Sequence, residues 1–129
     1  MKNNITTLLA VESFINEHER EIRGHTILPD SDIANLYEIS IEEIHKTLKK
    51  NPRRFPPDFA FLLNDDEKEK LFLTGNKIFA FTQPGILMLG GQLKSKRAIR
   101  TQIQLIELFV DSMPGKVFEI LSEMQNQNE

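Results

Sequence analysis

Two stretches of this chain gather cations without an acid among them. KTLKKNPRR carries five positive charges, on Lys46, Lys49, Lys50, Arg53 and Arg54, and KSKRAIR carries four more, on Lys94, Lys96, Arg97 and Arg100. Ammonium and guanidinium groups at this density suit phosphate oxygens, whose neutralisation supplies most non-specific affinity for duplex DNA. The net charge of -3 argues the other way. The acids, however, collect elsewhere, in Asp65, Asp66, Glu67 and Glu69 and then in Glu107, Asp111, Glu119, Glu123 and Glu129, so the chain is dipolar and the sum conceals the pattern.

Other chemistry is poorly supplied. Cys is absent, which excludes disulfides, thiolate metal sites and Cys nucleophiles and suits a reducing compartment. His18, His25 and His45 lack metal-ligand spacing, so no metal is expected. Asp30 and Asp32 have the types of a catalytic carboxylate pair, but capping of a helix start accounts for them better. Gly90-Gly91 follows a helical pattern and reads as its C-terminal stop, not as a nucleotide loop. With no Ser-His-acid arrangement and no phosphate loop, neither catalysis nor a cofactor is expected. The opening MKNNITTLLAVESF is too short an apolar run for a signal peptide or a membrane span, so the expectation is a cytoplasmic protein away from membranes.

The length of 129 residues suits one domain. Apolar spacing from Ile5 to Asn16 predicts a docking helix or an arm. EIRGHTIL suggests two short strands about Gly24, and FAFLL (Phe59 to Leu63) and KIFAF (Lys77 to Phe81) suggest two more that pair, with Tyr37, Phe55, Phe59, Phe61, Phe79 and Phe81 in the core. Asp30 or Ser31, Ser40, Asn64 or Asp65, and Thr82 stand where helix caps are needed. The longest helix is expected from Ser95 to Met113. Its stripe, Ile99, Ile103, Ile106, Val110 and Met113, has 4-3 spacing and is widened by Leu105 and Phe109; it suits burial in the monomer or pairing of two chains. A last amphipathic segment, Val117 to Met124, precedes a polar tail.

Ile33, Ala34, Tyr37, Ile39 and Ile44 fit the apolar template of a helix-turn-helix, in which two short crossing helices leave the second able to enter a major groove. Its tight turn favours Gly at positive φ, where this chain has Glu38, which must bear the cost of that conformation or enforce a different turn. With Ile41, Ile44 and Leu48 inward, the second helix presents Glu42, Glu43, Lys46, Thr47, Lys49 and Lys50. Acids early and cations late also complement the helix dipole, with a Glu42–Lys46 pair, so this face alone reads equally as a solvated helix end. The cations of the second block sit at the start of the long helix, where the dipole disfavours them, so helix stability does not explain them. Phosphate contact does, or a salt bridge to Asp65, Asp66 or Glu67.

The order of three segments resembles the phage-type Orf-six N-terminal domain, a DNA-binding module related to KilA-N-like and Bro-N-like domains. They are Asp32, Ala34, Leu36 and Tyr37; then Lys50, Asn51, Arg54, Phe55, Pro56, Asp58 and Phe59; then Phe81, Thr82 and Gly85. The resemblance runs from about Ile22 to Val110. Glu38 stands at a usual Gly, Lys50 at a usual Arg, Ile44-His45 at a usual Leu-Asn, and Gln83 at a usual Glu. The resemblance implies an α+β module of a phage, prophage or bacterial regulatory protein that binds DNA and carries no catalysis.

The expected chain is therefore an arm or helix over 1–21, an α+β domain over 22–113, and a short helix and tail over 114–129. The domain holds a helix-turn-helix-like unit, a small antiparallel sheet and a long C-terminal helix. Lys46, Lys49, Lys50, Arg53 and Arg54, with Lys94, Lys96, Arg97 and Arg100, are the expected contacts to double-stranded DNA, and Thr47 and His45 are candidates for base edges. A homodimer would suit two half-sites. The alternative is a protein-interaction module of the same fold.

Overall fold

A computed structural model describes residues 7–111. Met113 and the expected helix from Val117 lie outside the described residues. The architecture is α+β: the described residues form six α-helices and a four-stranded antiparallel sheet in the order β1-β2-β4-β3. No helix of the described residues is long and apolar enough to cross a membrane.

Helix α1 (Leu8–His18) is capped by Thr7, whose side chain accepts from the Ala10 N–H. It docks rather than frays, burying Val11 and Phe14 in the main core. β1 (Arg20–Ile22) and β2 (His25–Pro29) form a hairpin with Ile22 opposite His25. Its two-residue turn holds Arg23 at φ 54° and Gly24 at φ 74°, the sign pattern of a type I′ turn. The end of β2 then pairs with β4 (Phe79–Phe81), which pairs on its far side with β3 (Ala60–Leu62). The strands are shorter than FAFLL and KIFAF, but they pair as those segments suggested.

Strand alternation divides the core in two. One face turns Leu28, Ala60 and Phe81 toward the helices; the other turns Ile27, Phe61 and Ala80 toward Leu63, Leu71 and Ile78. Over this second face, α4 (Asp65–Lys70) starts in a capping box in which Asn64 accepts from Glu67 N and Glu67 accepts from Asn64 N. Arg23 grips the same Glu67 with two bonds, of 2.6 and 2.7 Å, and lies 4.2 Å over the Phe61 ring. Glu67 is thus engaged with the hairpin turn and not with the second basic block.

Two glycines and a threonine lock the other layer. In α5 (Gln83–Gly90), a Cβ on Gly85 would lie 1.9 Å from the Phe59 carbonyl oxygen, and one on Gly90 would lie 2.4 Å from the Tyr37 hydroxyl. Thr82 precedes α5, but it does not cap it: its hydroxyl donates to the Asp58 carbonyl at 2.7 Å, tying the helix start to the segment before β3. Nor does Gly91 make a left-handed stop, since the chain continues in right-handed helical conformation through it. Burial pushes the Tyr37 phenol far above its usual range, and its hydroxyl donates to the Ile86 carbonyl at 2.7 Å.

The long helix α6 (Lys96–Asp111) is entered through Ser95, whose hydroxyl accepts from Ala98 N. The expected stripe divides: Leu105 and Phe109, which widen it, are buried, whereas its isoleucine line is not. Ala98, Thr101, Leu105 and Phe109 are buried, whereas Ile99, Ile103 and Ile106 are 46%, 52% and 43% exposed. Gln102 fixes α6 against α5: its side chain lies beside Gly90, and its amide donates to the Leu87 carbonyl at 2.9 Å.

Candidate nucleic-acid interface

The two-helix unit consists of α2 (Asp30–Tyr37) and α3 (Ile41–Lys50). Ile33, Leu36 and Tyr37 from α2 and Ile44 and Leu48 from α3 are buried together, while Ile41, expected inward, is 37% exposed. Ser40 caps α3 by accepting from Glu43 N. Glu38 does adopt the left-handed conformation that the turn requires (φ 55°, ψ 52°). A side chain there costs about 1 kcal/mol relative to glycine. The Glu38 carboxylate lies 3.2 Å from Nε of Arg97, an ion pair that ties the turn to the start of α6. The acid absent from the family pattern and one cation of the second basic block thus meet each other.

Asp30 does not cap α2. It is 3% exposed, and Oδ2 meets both Nε2 of His45 on α3, at 2.7 Å, and the N–H of Phe79 on β4, at 3.1 Å. One carboxylate joins α2, α3 and the sheet. His45 accordingly points inward, with its ring edge against Phe79. The other histidines lie apart, His18 stacked on Phe14 and His25 beside Phe61. The chemical use of Asp30 is positional, and sequence reasoning missed it because the partner residues are 15 and 49 positions away.

On the outer side, Lys46, Lys49 and Lys50 are exposed, as are Arg53 and Arg54 in the 3-10 turn Pro52–Arg54 that follows α3. None of the five enters an ion pair among the described residues, and the Glu42–Lys46 pair that the spacing permits is not formed. Asn51 turns its amide back to the Thr47 carbonyl, and the Thr47 hydroxyl donates to the Glu43 carbonyl, half-buried on the helix flank. Below Lys46 and Lys49 a groove of about 600 Å³ opens between α3 and the sheet, floored by Leu48, Phe55, Ala60 and Phe79 and edged by Lys77.

Lys94, Lys96 and Arg100 are exposed too. Through the Arg97–Glu38 pair, their block sits at the N-terminal side of α3, while Arg53 and Arg54 follow its C-terminus. The first block thus runs along the second half of α3 and past its C-terminus, while the Arg97–Glu38 pair ties the second block to the turn before it; α3 has ten residues and is about 15 Å long. That span is comparable to a major groove about 12 Å wide with phosphates on both walls.

A family model described as the ORF6N domain matches residues 17–91. The match ends after α5, before the second basic block and α6. Comparison with curated proteins and with solved structures gives no match.

Proposed function

The chain belongs to the ORF6N domain family, and from that premise we propose that it is a DNA-binding module of a phage, prophage or bacterial regulatory protein. The observation that carries the reading is the set of five exposed cations, outside any ion pair, on the second half of α3 and the turn after it. Lys46, Lys49, Lys50, Arg53 and Arg54 contact the duplex backbone from one end of α3, and Lys94 and Lys96 from the other, with Arg97 holding the turn. Thr47, on the flank of α3, is the remaining candidate for a base edge; His45 faces Asp30 and serves position instead. Two chains on two half-sites complete the reading.

Fluorescence anisotropy of a labelled random duplex at several salt concentrations tests it. A slope of log K against log salt of about -4 to -7 is expected, near -0.9 per phosphate contacted. Charge reversal by Lys49→Glu with Lys50→Glu should lower affinity at least tenfold at low salt. Unchanged binding in that variant would remove α3 from the interface. A protein-interaction module is the second reading, favoured by Glu42 and Glu43, exposed on the same helix where they oppose phosphate. No binding to duplex at low salt would select it.

A further inference from the structure

The face of α6 that looks away from the core carries Ile99, Ile103 and Ile106, each more than two-fifths exposed, and half-buried Val110. At 100° per residue these four fall within about 60° of one another, whereas Ala98, Thr101, Leu105 and Phe109 occupy the buried side. Their 4-3-4 spacing is that of the two apolar positions of a heptad. Arg100 and Glu107 follow Ile99 and Ile106 by one residue, and so occupy the same flanking position in successive heptads. Both are exposed, and neither has an opposite charge three or four residues away on its own helix.

We propose that this face binds a second copy of the chain, with the two α6 helices antiparallel. An antiparallel seam sets equivalent flanks against each other. With Ile103 beside Ile106 of the second copy and Ile99 beside its Val110, Arg100 meets Glu107 of the second copy, and the two-fold axis repeats the contact. A parallel pair has no such complement, because its flank opposite Glu107 is Gln102. The seam is no longer than α6, about 24 Å, and smaller than the roughly 800 Å² per partner of a standard interface, so the dimer forms at micromolar concentration. Arg100 then faces the second copy and leaves Lys94 and Lys96 for phosphate. The inference rests on the self-pairing part of the proposed function and not on DNA.

Sedimentation equilibrium of the full chain without DNA, over a wide concentration range, is the test. The parent should pass from monomer to dimer. Arg100→Glu and Glu107→Arg should each weaken the dimer about tenfold, since each creates two like-charge contacts, and the double exchange should restore it. A monomer at every concentration would overturn the seam together with the self-pairing beneath it. A dimer that the double exchange leaves no stronger than the single reversals would overturn the antiparallel seam alone.

Discussion

Replacing Asp30 by alanine should cost about 2–3 kcal/mol, and the structure says where the loss arises. The Phe79 N–H points at Asp30 Oδ2 from the side of β4 that faces α2, and with the carboxylate gone it has no acceptor; an unsatisfied backbone donor of this kind costs about 1–3 kcal/mol. His45 loses the same acceptor, but its side chain is 27% exposed, so water replaces part of that bond and its share is about 0.5–1 kcal/mol. Removal of a buried carboxylate offsets a fraction of both. For a domain of this size the total lowers Tm by about 10 °C. Asp30→Asn can keep an oxygen at the position of Oδ2, where both the Phe79 N–H and His45 Nε2 meet it, and loses only the charge of the acceptor, so its cost should stay near about 1 kcal/mol. Urea unfolding followed by circular dichroism gives both numbers. An alanine variant within 0.5 kcal/mol of the parent would refute the claim that one carboxylate fastens α3 to the sheet.

Gly85→Ala and Gly90→Ala should each destabilise by about 1–3 kcal/mol in thermal melts, Gly85 the more, because its new methyl meets backbone oxygen whereas the Tyr37 hydroxyl can shift. Glu67→Gln should cost about 1 kcal/mol near neutrality. The hydrogen bond from Arg23 is the main reason the Glu67 carboxyl lies below its ordinary range. A depressed folded value means that the stabilisation is complete above the ordinary glutamate range and is lost as pH falls through the lower folded value. The gap between parent and variant in urea midpoints should therefore close below about pH 4.5. Phe72 and Glu38 both sit at positive φ, but Phe72 is 94% exposed, while Glu38 pairs with Arg97. Phe72→Gly should gain about 1 kcal/mol in urea unfolding and Glu38→Gly less, since the second change gives up the ion pair.

Much of this fold was legible because its signals are local. The Ser40 and Asn64 caps, the crossing of α2 and α3 and the pairing of FAFLL with KIFAF all follow from residues close in sequence or from plain alternation. The turn template left two outcomes for Glu38, positive φ or a different turn, and the structure has the first. What was not legible depends on partners that the sequence does not place together. Asp30 and Thr82 have the types and positions of caps, but the bonds they make reach β4 and the segment before β3. The spacing on α6 left open whether its isoleucine stripe is buried in the monomer or pairs two chains. Ala98, Thr101, Leu105 and Phe109 are the buried residues, a rotation set by packing against α5 and against α1 and α2, which are distant in sequence.

The three segments that carry the family resemblance are largely structural. Tyr37 closes over Gly90, Phe55 packs edge-on to Phe81, and Thr82 and Gly85 clasp the chain at Asp58 and Phe59. These residues hold a two-helix unit against a small sheet. Lys50, Arg54 and Asp58 are the charged motif residues that stand exposed. Lys46, Lys49 and Arg53 lie outside the motif pattern, and the second block lies beyond the matched region. The motif thus accounts for the frame, while most of the cations on which the proposed DNA contact depends are exposed side chains outside it. Glu42 and Glu43 illustrate the point: they alter what α3 can approach, yet neither touches the core that positions the helix.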